Sequence, residues 1–166
     1  MALDLTRTEA WLFLPFVLPI CLWVIWSDLS RMKITNRANL ALLLVFVTLG
    51  LFVMPLEGYL WRLSQFAIML GIGILANMIG LMGAGDSKFL AAAAPFVAPG
   101  DYGLLIMLLT AITFVAVLTH RMAKHSALRR LAPDWESWHR TGKFPFGLAL
   151  GSTLACYLVM GALQSG

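Results

Sequence analysis

The sequence contains very little charge. Only 12% of its 166 residues are Asp, Glu, Lys or Arg, whereas 60% are hydrophobic and the mean hydropathy is +0.85. A soluble domain is about half apolar and about a quarter charged, so this chain cannot hide its apolar residues inside a water-soluble fold. The composition predicts an all-α integral membrane protein that forms one helical bundle over residues 1–166.

Cysteine and recognisable metal ligands are also scarce. Cys21 and Cys156 each lie within an apolar run and form no Cys-x-x-Cys pair, which argues against a disulfide framework and against a zinc site. We interpret both as packing residues. Three histidines lie in or beside the polar segment 120–143, and their spacing does not favour a metal site. We expect them to be solvated or to face lipid headgroups, namely His120, His125 and His139. No metal and no cofactor is predicted.

Apolar runs set the expected topology. Five runs approach the length of one membrane span, at residues 11–27, 40–54, 60–82, 102–119 and 144–162. The first of them is interpreted as a span and not as a signal peptide, because an acidic N-terminal region and no small-x-small site accompany it. A further run, residues 89–98, is too short to cross a core of about 30 Å as a straight helix.

We therefore expect about six transmembrane helices. The short fourth span could cross only if Ser87 and Lys88 start its helix and the bilayer or neighbouring helices accommodate it. The polar segment 120–143 adds one more predicted element. Its Leu and Trp residues recur at three- and four-residue intervals, with charged residues between them. That pattern is typical of an interfacial segment lying along the inner leaflet.

Lysine and arginine are distributed unevenly between the two sides of this six-span arrangement. One side receives only Arg7 and Arg62, and the other receives the remaining ten of the twelve basic residues. The ten-residue side is cytoplasmic by the positive-inside rule, so both termini are predicted to be non-cytoplasmic. The net charge of +4 is thus a topology signal. We expect contact with membrane lipid and no nucleic-acid binding.

Two acidic residues lie at the cytoplasmic ends of their spans. Asp28 ends the first apolar run, and Asp86 lies in Gly-Ala-Gly-Asp-Ser-Lys, residues 83–88. A carboxylate at the edge of a bilayer is costly and usually functional. If the two acids share a partly dry site, one can hold a proton while the other stays charged and activates a water. Gly83 and Gly85 would supply unusual backbone angles and leave room for a substrate strand.

Spacing alone does not establish that the two acids meet. Asp28 could cap the basic loop that follows it, and Asp86 could cap a helix starting at Ser87. Paired intramembrane acids also serve proton relay in transporters. Reasoning from the residues therefore leaves open a peptide-hydrolysing site, a proton-coupled transporter and another non-proteolytic membrane protein.

Three motifs in order resemble those of the type IV prepilin peptidases. Residues 83–88 resemble the family's G-x-G-D-x-K motif. Asp28 together with residues 34–36 resembles its first motif, in which an Asp is followed, after five residues, by Ile-Pro-Asn. Residues 143–147 resemble its Pro-Phe-Gly element, which opens the last helix. The resemblance implies a membrane aspartic endopeptidase that removes the short basic leader of prepilins and pseudopilins at the cytoplasmic face of the bacterial inner membrane. It implies Asp28 and Asp86 as the catalytic pair, supported by Gly83, Gly85, Lys88 and Asn36.

Two departures from the family pattern refine this expectation. Thr35 stands where the first motif usually has proline. The large cytoplasmic domain with paired cysteines, which carries N-methylation in the two-function members, is not found. The chain therefore resembles the small peptidase-only form of tight-adherence (Flp-type) pilus systems. Lys88 could hold the substrate's backbone, shift the titration of the pair or serve as a topology charge.

Overall fold

The computed structural model describes residues 3–140 and 142–164, and all regular secondary structure in these two ranges is helical. The seven α-helices are α1 (Arg7–Arg31), α2 (Asn36–Val53), α3 (Leu56–Met78), α4 (Ala84–Ala93), α5 (Tyr102–Lys124), α6 (Glu136–His139) and α7 (Phe146–Leu163). Five of them, α1, α2, α3, α5 and α7, are long and apolar enough to cross a membrane. The predicted all-α membrane bundle is confirmed.

Both ends of α1 are defined by local hydrogen bonds. Thr6 and Glu9 form a capping box, in which the Glu9 N–H donates to Thr6 Oγ1 at 3.3 Å and the Thr6 N–H donates to Glu9 Oε2 at 3.0 Å. At the other end Met32 adopts a left-handed conformation with φ 51°, and its N–H donates to the Asp28 carbonyl at 2.9 Å. This left-handed cap turns the chain sharply, so α2 begins only four residues later. Asp28 is thereby held in the last turn of α1.

Glycines in α7 allow it to pack closely against α1. A Cβ at Gly151 would lie 3.1 Å from the Cys21 carbonyl oxygen, and one at Gly161 would lie 3.1 Å from Ala10 Cβ. Without water to drive association, membrane helices gain most from such close backbone contact. The bundle is therefore packed closely at the α1–α7 interface.

The segment predicted as a short fourth span is irregular, and it is not among the five helices that are long and apolar enough to cross a membrane. Helix α4 begins at Ala84, earlier than the expected start at Ser87, and ends at Ala93. Two 3₁₀ turns follow, Ala94–Phe96 and Pro99–Asp101. A 3₁₀ turn rises about 2.0 Å per residue against about 1.5 Å in an α-helix, so these turns lengthen the passage.

The stretch of residues 84–101 passes through the whole bundle, as the contacts of its last residues show. The Ala98 N–H donates to Tyr157 Oη at 3.1 Å, late in α7. The carboxylate of Asp101 accepts the Leu5 N–H at 3.0 Å, just before α1 begins. At the opposite end of the segment, Gly85 lies against Ile34, in the loop that follows α1. The fourth passage therefore connects the two ends of α1 through the interior of the bundle.

The end of the bundle away from Asp28 is closed by buried polar contacts. Arg62 Nη2 and Glu9 Oε2 form an ion pair at 3.2 Å, and both side chains are buried. Asp101 Oδ2 also accepts the Tyr157 hydroxyl at 2.7 Å. Each of these contacts joins segments that are far apart in sequence. Together they hold α1, α3, α5 and α7 in place at the end of the bundle away from Asp28.

The segment between α5 and α7 departs from the prediction in one respect. His120 is buried, with ring centroids 4.8 Å from Trp138 and 5.8 Å from Phe144. The expectation that His120 is solvated or faces lipid headgroups is wrong, because Trp138 of α6 packs over the end of α5 and covers the imidazole. His125 and His139 are exposed, as expected.

Candidate active site

Asp28 is almost fully buried and is held by the beginning of α7. Its side chain is 5% exposed, and Asp28 Oδ2 accepts the Gly147 N–H at 2.7 Å. Gly147 is the second residue of α7, so its N–H is one of the donors that an isolated helix leaves unpaired. The positive end of the α7 dipole also faces this carboxylate and favours its charged form. The side chain thus bonds to α7 and not to the basic loop that follows it.

Gly147 is the residue that lets α7 come this close. A Cβ at this position would lie 2.9 Å from both Asp28 Cβ and Asp28 Oδ2, which is well inside normal contact. In the sequence, Gly147 stands out only as part of the Pro-Phe-Gly element, and nothing there predicts that its N–H contacts Asp28. The Pro-Phe-Gly element was the signal that could have identified it.

Asp86 is the third residue of α4 and is half-buried. Its carboxylate lies close to Gly83, the N-cap residue of α4, because a Cβ at Gly83 would be 2.8 Å from Asp86 Oδ2. Gly85, the residue before Asp86, lies against Ile34 in the loop that follows α1. The start of α4 that carries Asp86 is therefore packed against the loop that follows Asp28.

The two predicted site glycines act through close contact and not through unusual backbone angles. Gly83 has φ −66° and ψ 144°, which any residue can adopt, so that part of the expectation is wrong. A Cβ at Gly83 would instead lie 2.8 Å from Asp86 Oδ2. Gly85 lies against Ile34, where a Cβ would be 3.4 Å from Ile34 Cβ. The two glycines thus allow the Asp86 carboxylate and the loop after α1 to approach the start of α4.

The other two predicted supporting residues, Lys88 and Asn36, contact each other. Lys88 Nζ donates to Asn36 Oδ1 at 3.1 Å, and both side chains are exposed. The bond joins α4 to the first residue of α2. It therefore links the two sequence motifs that carry Asp86 and Asp28.

Two carboxylates in one partly dry site could act as an acid–base pair, because such a site favours a state in which one carboxylate is protonated and the other is charged. Such a pair can accept a proton from one group and donate a proton to another. Within residues 3–140 and 142–164, no cluster of three or more His, Cys, Asp or Glu side chains could hold a metal ion.

A family model provides the comparison that bears on this site. The model described as type IV leader peptidase family matches residues 15–120, well over half of the 166-residue chain. The matched range contains Asp28, Asn36 and residues 83–88, and it ends before Gly147. A comparison with curated proteins and one with solved structures give no match.

Proposed function

The chain belongs to the type IV leader peptidase family, and from this we infer an aspartic endopeptidase with Asp28 and Asp86 as its catalytic pair. It removes the short basic leader of Flp-type prepilins, and of pseudopilins, at the cytoplasmic face of the inner membrane. One observation carries the proposal. The motif that carries Asp86 contacts the motif that carries Asp28, 58 residues earlier in the chain: Gly85 lies against Ile34, and Lys88 Nζ donates to Asn36 Oδ1 at 3.1 Å.

The pair can hydrolyse a peptide bond without a covalent intermediate. The ionised carboxylate takes a proton from a water, whose oxygen attacks the carbonyl carbon of the scissile bond. The protonated carboxyl donates its proton to the carbonyl oxygen, giving a neutral tetrahedral intermediate. When this intermediate collapses, the C–N bond breaks and the leaving nitrogen takes up a proton from the pair. The products are a leader that ends in a carboxyl group and a pilin that begins with a free amine.

Burial of Asp28 supports this chemistry. Hydrogen bonds and charges act more strongly where water is excluded, and Asp28 is 5% exposed. The Gly147 N–H holds one carboxylate oxygen, so the other oxygen is left to interact with a water or with the substrate. In the proposed topology, the less buried Asp86 is the member of the pair that a substrate from the cytoplasm would meet first.

The peptidase-only assignment rests on the connection between α1 and α2. That connection consists of residues 32–35 alone, which leaves no room there for an inserted cytoplasmic domain. The two cysteines lie in α1 and α7 and not in a paired motif. Both observations favour leader cleavage without methyl transfer.

The proposal is tested by co-expressing the chain with candidate tight-adherence prepilins and measuring the shift in prepilin size. Asp28→Asn and Asp86→Asn should each nearly abolish cleavage, and the double variant should be little worse than either single variant. If either acid served only as a helix cap, Asn would replace it well. Exposed Asp134 supplies the matched control, because Asp134→Asn should cleave normally.

Membrane levels of every variant are measured in the same samples, and a chelator is added to one set. We expect normal levels and no effect of the chelator. Retained cleavage in Asp28→Asn or in Asp86→Asn, at normal protein level, would reject the paired-aspartate mechanism. It would also favour a non-proteolytic use of the two acids, such as proton relay.

A further inference from the structure

A close contact between α3 and the start of α4 lies directly beside Asp86. Gly73 of α3 is buried, and a Cβ at this position would lie 2.9 Å from Ser87 Cβ. It would also lie 3.3 Å from the Ser87 carbonyl oxygen and 3.4 Å from Ser87 Cα. Carbon atoms pack at about 3.5–4.0 Å, so the two helices can come this near only with glycine at position 73.

The helix itself gives no reason for a glycine at this position. Residue 73 lies in the interior of α3, where glycine is a poorer helix former than alanine. Gly71, two residues earlier on the same helix, meets no atom within 4 Å. The close approach of α4 is therefore the physical reason for glycine at position 73, and Gly71 offers a comparison without such a contact.

The residues on either side of Asp86 are both held by neighbouring elements. Ser87 is 4% exposed, and its N–H and hydroxyl donate to the Gly83 carbonyl at 3.0 and 3.1 Å. Ser87 is thus fixed to the N-cap residue of α4 and lies against α3. On the other side of Asp86, Gly85 lies against Ile34, in the loop that follows α1. The backbone of Asp86 is therefore held between a contact with α3 and a contact with that loop.

We propose that Gly73 is a positioning residue for Asp86, because it admits Ser87 at contact distance and so sets where the start of α4 lies. This inference rests on the proposed function. The loop after α1 lies against α4, so α4 cannot retreat freely from a side chain at position 73. An added methyl group there must turn or displace the backbone that carries Asp86. Gly147 of α7 has the corresponding role for Asp28, so each aspartate is positioned by a glycine of a neighbouring helix.

The first test compares wild type with Gly73→Ala, using the purified full chain in lipid nanodiscs. The substrate is the prepilin that the wild-type chain cleaves on co-expression. A displacement of about 1 Å in a reacting group can cost on the order of 10²-fold, so kcat should fall by about 10- to 100-fold. Gly73 is buried between two helices and adds no contact to substrate, so KM should change by no more than about threefold. Gly71→Ala should keep the wild-type kcat.

A second substitution at Ser87 tests whether the two residues act through each other. Ser87→Gly removes the Cβ that the new methyl group would meet, so it should raise kcat of Gly73→Ala by at least about fivefold. Ser87→Ala is the matched control, because it also removes the hydroxyl but keeps the Cβ, and it should give no such rise. Glycine is a poorer helix former than alanine, so a gain with glycine alone cannot come from a more stable helix.

Gly50→Ala separates position from general packing. A Cβ at Gly50 would lie 3.0 Å from Tyr59 Cδ2, a similarly tight contact, at the opposite end of α2 from Asn36. Thermal unfolding without substrate is measured for every variant, which supplies a readout that does not depend on cleavage. Gly50→Ala and Gly73→Ala should both lower the unfolding temperature, but only Gly73→Ala should lower kcat.

A wild-type kcat in Gly73→Ala would overturn the proposal, and so would an equal loss of kcat in Gly50→Ala. Equal recovery with Ser87→Ala and Ser87→Gly, or no recovery with either, would also overturn it. If Gly73→Ala does not accumulate in the membrane while Gly71→Ala does, the contact serves the fold and the proposal is wrong. These outcomes are separate from failure of the proposed function, which is detected as normal cleavage by Asp28→Asn or Asp86→Asn.

Discussion

Gly147→Ala tests the contact between α7 and Asp28 most directly. The added methyl group would lie 2.9 Å from Asp28 Cβ and Oδ2 and 3.0 Å from Asp28 Cγ. Carbon atoms pack at about 3.5–4.0 Å, so either α7 must withdraw by roughly 0.5–1 Å or the carboxylate must rotate away. Asp28 Cβ is fixed to the α1 backbone and cannot yield, so we expect the carboxylate and the helix end to separate.

The size of the effect follows from the hydrogen bond that would be lost. The Gly147 N–H to Asp28 Oδ2 distance is 2.7 Å, a short bond of the kind made to charged acceptors. Such bonds contribute about 1.5–3 kcal/mol, which corresponds to roughly 10- to 150-fold in an equilibrium or a rate. A displacement of about 1 Å in a reacting group can also cost on the order of 10²-fold. We therefore expect leader cleavage to fall by about 100-fold or more.

The assay is the rate of leader cleavage at matched membrane levels, with two alanine controls. Gly71→Ala meets no atom within 4 Å, so it should leave cleavage unchanged. Gly151→Ala lies one turn further along α7 and meets Cys21 O at 3.1 Å and Ile25 Cγ1 at 3.0 Å. It strains the same helix interface without touching Asp28, so it should lower stability more than cleavage.

Two results would refute this reasoning. If Gly147→Ala cleaves at the wild-type rate, the contact between Asp28 and α7 is not needed for activity. If Gly151→Ala loses as much activity as Gly147→Ala, the effect comes from helix packing in general and not from the position of the carboxylate.

Two further predictions concern topology and stability. Exposed Cys156 is first replaced, so that only an introduced cysteine can react from outside. A cysteine introduced at Glu57 should then label from outside intact cells, and one introduced at Ser126 should not. External labelling at Ser126 would contradict both the six-span topology and the inferred cytoplasmic site. Arg62→Met should lower the free energy of unfolding by about 3–5 kcal/mol in detergent, because it leaves Glu9 buried without its partner. Adding Glu9→Gln should recover part of that loss, and strictly additive losses would show that the ion pair is not coupled.

The sequence was informative about the membrane spans and less so about where each helix ends. The third apolar run continues to residue 82, yet α3 ends at Met78. Gly80 there adopts φ 75°, and its N–H and that of Leu81 bond back to α3 carbonyls, which ends the helix. Hydropathy measures how apolar a segment is, so it cannot locate a cap that depends on one backbone conformation.

Site residues could be predicted where a charged side chain lies at the end of an apolar run, because burying its charge is energetically costly. They could not be predicted where the role of a residue depends on contact with a residue far away in sequence. Asp28 and Asp86 stood out because carboxylates are rare at the ends of apolar runs. The role of Asp101 could not be predicted from the sequence, because its partners Leu5 and Tyr157 are 96 and 56 residues away.

The bond between Gly147 and Asp28 joins residues that are 119 positions apart. It has a consequence for the order in which this protein becomes complete during synthesis. Asp28 enters the membrane early, followed by Asp86, and for most of translation the Asp28 carboxylate has no α7 beside it. The site acquires its final hydrogen bond only when residues beyond 147 have left the ribosome and α7 has inserted. A partly synthesised chain would hold both aspartates in the membrane before the geometry that we propose for cleavage exists.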